Sequence, residues 1–342
     1  RKALHCWRSV HNFGPDKPYL LACIKKTMKP LLLVCLVLLA NLVEGQPKQV
    51  AITMDDLPYL SFSGKYSPAE CMDWNGKLLE KITAMQTPVT GFVNGKGALA
   101  AGEADARLAV LQQWADNPLI TPGNHTYSHA NCAELNDPAA FIREVLQCEF
   151  VLESAWPGLR NTLTYFRFPY NATGRDSLSR IEWESILAQL GYVSTPFTLE
   201  SSDYVFNALY VDALNKGQGE KAAAFAQQYI AHTLAVFAFY EAFCQERYGG
   251  PIRHIYLCHA NQLHADHYDA LIRALEKEGY EFVSLDEALM DPVYRQTDHY
   301  FGKWGFSWLY RWIEDPEIRR AELRKSPDPN TEILEAWRNL QP

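Results

Sequence analysis

The sequence predicts a parallel α/β fold, closed or nearly closed into a barrel, and three observations predict it. Seven short β-rich runs alternate with amphipathic stretches over about 240 residues. Chemically equipped residues follow the ends of those runs, where parallel α/β folds gather their sites. No internal repeat or low-complexity linker divides the chain, whose 342 residues are 48% hydrophobic and 21% charged. One barrel therefore fits better than two domains.

The first 45 residues stand apart from this pattern. Lys25, Lys26 and Lys29 precede an apolar centre at 31–40, and Val43 and Gly45 lie just ahead of Gln46. That is the order of a secretory signal peptide. The apolar run is too short for a spanning helix, which needs roughly 20 such residues. Met28 reads as an initiator, so residues 1–27 are expected to arise from a start placed too early, and residues 1–45 to be absent from an exported, periplasmic or secreted protein. The whole chain carries a net charge of −8, and losing the seven basic and two acidic residues of this leader makes it −13. Such an acidic protein is not expected to bind nucleic acid, because neutralising phosphates needs a basic face. No membrane span is expected once the leader is gone.

From residue 46 the strands are expected at 50–54, 89–94, 119–121, 163–167, 192–195, 252–258 and 280–284. Ser67-Pro68-Ala69-Glu70 combines an N-cap, a proline at the first helical position and a capping-box glutamate. Asn136-Asp137-Pro138 opens a later helix in the same way, and Gly191 and Gly279 stand where helices end. Residues 222–248 read as one long helix inserted before the sixth strand. Five cysteines remain beyond the leader, which holds Cys6, Cys23 and Cys35: Cys71, Cys132, Cys148, Cys244 and Cys258. Export permits disulfides, and Cys132 with Cys148 is the first pair to test, against five free and buried thiols.

The first strand ends in Asp55-Asp56, adjacent carboxylates that repel each other and call for a cation or an arginine nearby. After the third strand comes His125-Thr126-Tyr127-Ser128-His129. Two histidines four apart meet on one face if the segment turns helically, which suits a metal ion. Together with Asp56 they make two imidazoles and a carboxylate, the form of a catalytic zinc site with open positions. The fourth strand runs into Arg167-Phe168-Pro169-Tyr170 and the sixth into Leu257-Cys258-His259. An arginine there can hold a carboxylate ionised, and a histidine can serve as general acid. Taken singly, each motif is as well explained by a surface salt bridge, a polar turn or a hydrogen-bonded core histidine.

Taken in order, the motifs resemble the polysaccharide deacetylase family, also called carbohydrate esterase family 4 or the NodB-homology domain, over about residues 48–290. The resemblance rests on Ile52-Thr53-Met54-Asp55-Asp56, on 125–129, on 167–170 and on 257–259. Asp203, in Ser201-Ser202-Asp203-Tyr204, stands for the remaining motif, with Tyr204 in place of the tryptophan often found beside that aspartate. The resemblance implies a distorted (β/α)7 barrel over residues 46–290 and one divalent ion, zinc with cobalt or nickel as alternatives, on Asp56, His125 and His129. It further implies that Asp55 is the base for the attacking water, oriented by Arg167, and that His259 is the acid for the leaving amine, oriented by Asp203. The main-chain N–H of Tyr170 would face the oxyanion and Leu257 the acetyl group. The substrate implied is an N- or O-acetylated carbohydrate, a chitooligosaccharide or an envelope glycan.

Three departures bear on that substrate. Leu57-Pro58-Tyr59 stands where many members have a Gly-Pro step, and the 200–250 insertion could wall the groove, favouring a small or terminal sugar. In the extension 291–342, Tyr300, Trp304, Trp308, Tyr310 and Trp312 are expected to pack onto the barrel more than to stack on sugar rings. A hydrolase of a non-sugar amide or imide and a silent glycan-binding protein remain as other readings, the second opposed by the presence of Asp55 and His259.

Overall fold

The computed structural model describes residues 47–58, 66–99, 101–159 and 162–340. The leader with its three cysteines, and Tyr59, lie outside the described residues.

The centre of the sheet is β1 (Lys48–Leu57), whose residues 50–55 are buried. An apolar run covered on both faces is what a central parallel strand requires. It pairs with β2 (Val89–Val93) on one side and β7 (Arg253–His259) on the other. Beyond β2 come β3 (Ile120–Asn124), β4 (Tyr165–Phe166) and β5 (Val193–Ser194), and beyond β7 comes β6 (Leu199–Glu200). A short β8 (Tyr280–Phe282) pairs with the start of β1. All these pairings are parallel, and the sheet curls into a half-barrel whose free edges are β5 and β6. The expected strand regions all hold strands. The addition is β6, which at two residues is too short to show alternation, so the strand expected as sixth is the seventh.

Helices fill the crossovers. The first, α1 (Pro68–Met85), starts with the expected capping box: the Glu70 N–H donates to Ser67 Oγ at 3.3 Å and the Ser67 N–H to the Glu70 carboxylate at 2.9 Å. There follow α2 (Gly95–Ala98), α3 (Ala104–Ala115), α4 (Pro138–Ala155, capped by Asp137) and α5 (Ser177–Gln189). Gly191 and Gly279 take the left-handed conformation after α5 and after α8 (Gln262–Lys277). The long helix expected at 222–248 is α7 (Gly219–Tyr248), and α6 (Asp203–Asn215) precedes it in the 200–250 region. Residues 205–211 of α6 are buried all round, so it runs inside the molecule between α7, α8 and β7. Among the described residues no helix is long and apolar enough to cross a membrane.

After α9 (Leu285–Leu289) the chain returns along the open edge of the half-barrel. The Trp308 N–H donates to the Phe197 carbonyl at 3.0 Å and Ser307 Oγ to that of Thr198 at 2.7 Å. In α10 (Trp308–Arg311), Arg311 is buried and donates to Asp298, to the carbonyl of Asn171 and to Thr173 Oγ1. Trp308, Tyr310 and Trp312 are buried, whereas Trp304 is 66% exposed. Two further helices, α11 (Pro316–Leu323) and α12 (Thr331–Arg338), end the described chain. All five described cysteines are buried and free. Cys148 Sγ faces the Val93 carbonyl at 3.1 Å and Cys132 that of Ala130 at 3.6 Å, so the expected Cys132–Cys148 pair does not form.

Candidate active site

Strand register assembles the site. Asp55 stands opposite His259 across the β1–β7 ladder, Val93 opposite Asn124, and Asn124 opposite Phe166. The residues that follow, His125 and Arg167, therefore emerge in one layer at the C-terminal ends of their strands. Strict pleating would send adjacent Asp55 and Asp56 to opposite faces. Between Met54 and Leu57 the register slips against β2 by one residue, and Asp56 takes a φ of 63°. This bulge lets both carboxylates line one cavity of about 620 Å³.

The donor atoms of Asp56, His125 and His129 lie within 4.8 Å of one another. Asp56 Oδ1 is 3.3 Å from His129 Nε2 and 3.6 Å from His125 Nε2, and it accepts a hydrogen bond from Asn94. The His125 side chain is nearly fully buried, with Nδ1 2.7 Å from the main-chain oxygen of Arg167. A carbonyl only accepts, so Nδ1 carries the proton and Nε2 turns its lone pair toward Asp56 and His129. Burial, then the charge of His129, pushes the His125 pKa down to about 3, so it is a neutral donor at ordinary pH. The two histidines meet without a helix: Thr126 and His129 both adopt left-handed φ, at 65° and 59°, and the loop is tied to α4 through Ser128 and Glu144. Two imidazoles and a carboxylate, one imidazole fixed in the ligating tautomer, fit a divalent ion.

Arg167 is fully buried beside Asp55, donating to Asp55 Oδ1 and to Thr53 Oγ1, both at 2.7 Å. Burial pulls the guanidinium's pKa down, and the Asp55 charge opposes that. Opposite the metal-type cluster, His259 Nδ1 is 2.8 Å from Asp203 Oδ1, while Asp203 Oδ2 accepts from the His259 N–H and from Asn261. Burial disfavours the charged His259 ring, but the Asp203 charge and hydrogen bond outweigh it and lift the pKa to about 10. Burial would likewise raise Asp203, and His259 holds it below the usual carboxylate range. Behind them His264 donates from Nδ1 to the His259 carbonyl at 2.7 Å and accepts at Nε2 from Tyr229 at 2.7 Å. Tyr170 adopts a φ of 56°, with its ring 4.4 Å from that of His129, and Leu257 lines the same cavity.

Every residue proposed from the sequence thus faces this cavity or, as with Arg167 and Asp203, holds one that does. The sequence motifs give no role to Asn94, Thr53 or Glu200. Asn94 directly follows β2, so the strand-end rule that finds His125 could have found it. Glu200 lines the cavity, and burial together with the Asp203 charge pushes its carboxyl up to about 7.

A parallel α/β half-barrel with a metal-type donor cluster across one cavity from a carboxylate-backed histidine is the class that fold and site define. Residues 43–192 match the model of the polysaccharide deacetylase family. The match includes Asp55, Asp56, His125, His129, Arg167 and Tyr170, while Asp203, Leu257 and His259 lie beyond it. Among solved structures the chain is similar to a mutant of a Bacillus anthracis pseudoenzyme of the CE4 family, with 16% identity over 72% of this chain and 68% of that one and a TM-score of 0.48. It is also similar to the peptidoglycan deacetylase PdaC from Bacillus subtilis, at 19% identity, 72% and 93% coverage and a TM-score of 0.44. A family 4 carbohydrate esterase from Streptomyces lividans in complex with acetate gives 17%, 70%, 95% and 0.43. No curated protein matches the chain.

Proposed function

We propose that the protein is a metal-dependent hydrolase that removes acetyl groups from an acetylated carbohydrate, with an acetamide as the bond cleaved. The observation that carries the reading is the pairing, in one cavity, of the Asp56, His125 and His129 donors with a histidine kept protonated by Asp203. Asp56, His125 and His129 would hold a divalent ion, zinc in our reading, which would supply Lewis-acid polarisation of the amide carbonyl and lower the pKa of a bound water toward neutrality.

The chain's own groups do the rest. Asp55, held by Arg167, takes a proton from the water as its oxygen bonds to the carbonyl carbon. The main-chain N–H of Tyr170 faces the negative charge that grows on the carbonyl oxygen. His259 gives the proton on Nε2 to the amide nitrogen as the C–N bond breaks, leaving acetate and a free amine. Asp203 keeps that ring charged and oriented, and Leu257 bounds the space for the methyl group. The positive, apolar and small-residue order of residues 25–45 supports export of the mature protein, which N-terminal sequencing of material from the envelope or medium tests.

The deciding experiment combines metal analysis of purified protein with acetate release from N-acetylated oligosaccharides and from a panel of small amides. One equivalent of metal and chelator-sensitive release from the oligosaccharides is the expected result. Full activity in metal-free protein, or turnover of small amides only, overturns the reading.

A further inference from the structure

The C-terminal segment lies outside the matched family region, yet it supplies nine of the twenty-two residues that line the active-site cavity. Two of its tryptophans reach opposite sides of the chemistry, each through a tyrosine of the barrel. On the metal side Trp304 meets Tyr170 edge to face at 5.0 Å, and Tyr170 meets His129 at 4.4 Å. On the acid side Trp337 meets Tyr204 at 5.9 Å, and Tyr204 meets His259 at 6.3 Å. Trp304 is two-thirds exposed, so its burial against the barrel does not account for its position. Between these ends the 326–328 turn lines the cavity with Ser326 and the exposed carboxylate of Asp328.

Resting on the hydrolase reading above, we propose that this segment restricts the enzyme to the end of a short acetylated oligosaccharide, with Trp304 and Trp337 as the residues that set substrate length. Three arguments carry it. A cavity of about 620 Å³ has the volume of a small-ligand site, room for a few sugar rings and not for a polymer strand. Aromatic faces beside carboxylate and hydroxyl groups suit the apolar faces and hydroxyl edges of sugar rings. The segment is also fixed in place: Arg311 and the Gly305 N–H tie it to the carbonyls of Asn171 and Tyr170, both at 2.8 Å. It therefore forms a wall and not a loose tail.

The test is acetate release from N-acetylglucosamine oligomers of one to six rings, with the released position mapped by mass spectrometry, for wild type, Trp304→Ala, Trp337→Phe and Trp337→Ala. We expect kcat/KM to stop rising after about two rings, release confined to a terminal ring, and KM for the dimer raised roughly 2- to 10-fold in either alanine variant, the size of one aromatic contact. Trp337→Phe keeps a platform and should stay near wild type. Trp304→Ala removes an exposed ring, so it should fold, which a thermal melt checks. A kcat/KM that climbs with every added ring, release from internal rings, or alanine variants with wild-type KM overturns the proposal while leaving the hydrolase reading intact. No release from any oligomer overturns both.

Discussion

The Nδ1 of His125 donates to the main-chain oxygen of Arg167 at 2.7 Å, while the Arg167 guanidinium holds Asp55 at 2.7 Å. One residue therefore fixes the tautomer of a metal-type donor through its backbone and the position of the proposed base through its side chain. The two functions cannot drift apart, because both depend on the residue that directly follows β4. Being buried, the Arg167–Asp55 pair is not a stability device: desolvating both charges offsets much of their attraction.

That division of labour predicts different failures for the two adjacent aspartates. Asp55→Asn should keep the metal and lower kcat by a factor on the order of 10² to 10⁴, the usual contribution of general acid–base catalysis. Asp56→Asn should lose metal affinity, because a neutral ligand replaces an anionic one. Metal content and kcat of the two variants decide it. Metal lost from Asp55→Asn and kept in Asp56→Asn would mean the roles are reversed.

The proposed acid has a pH signature of its own. His259 is lifted from 6.5 to about 10, with Asp203 the leading cause that raises it. It is thus protonated through neutral pH, and the basic limb of the kcat/KM profile should fall near pH 10. The interaction stabilises the fold fully below pH 6.5 and is lost as pH rises through about 10. Asp203→Asn leaves burial unopposed by its nearest negative charge, so the basic limb should move to lower pH. A limb that stays in place in that variant removes His259 as the proton donor.

Much of the fold and site is legible in the sequence, for a physical reason. Capping at Ser67 and Glu70 and the strand-end positions of Asp55, His125, Arg167 and His259 depend on local chain chemistry, which a sequence displays. The two-residue β6 does not show, because its edges are set by pairing with β7 and not by its own pattern. The spacing of His125 and His129 suggests a helical turn, yet left-handed residues at Thr126 and His129 bring the two rings together. Trp337 meets Tyr204 across 133 positions of sequence, and nothing local announces such a contact.

The thiols give a simple check on the interior. All five described cysteines are buried without a disulfide, and burial pushes the Cys71 and Cys148 thiols up to about 12. Native protein lacking the leader should react slowly with a thiol reagent, and unfolding should release five equivalents. Reducing agent should leave the melting temperature unchanged. Three free thiols after unfolding would indicate one bridge.

The last prediction concerns Gly305, where the C-terminal segment touches the Tyr170 turn. A Cβ there would lie 2.3 Å from the Asn171 carbonyl oxygen and 2.6 Å from its Cβ, so an alanine can enter only if the turn moves. Tyr170 and Asn171 both hold positive φ, at 56° and 53°, a conformation that side-chain-bearing residues keep only when their surroundings impose it. The Gly305 N–H bond to the Tyr170 carbonyl is part of that imposition. Gly305→Ala should therefore lower kcat on an acetylated oligosaccharide, since it displaces the N–H of Tyr170 from the proposed oxyanion position. Losing one such donor costs on the order of 10² to 10³ in kcat where the displacement is complete. Metal content should stay at the wild-type value, because Asp56, His125 and His129 belong to other segments of the chain. Gly219→Ala is the control: no atom lies within 4 Å of its added Cβ, and its backbone is not left-handed. If Gly305→Ala keeps wild-type kcat while its melting temperature falls, the contact serves the fold alone and Tyr170 is not held in place by the C-terminal segment.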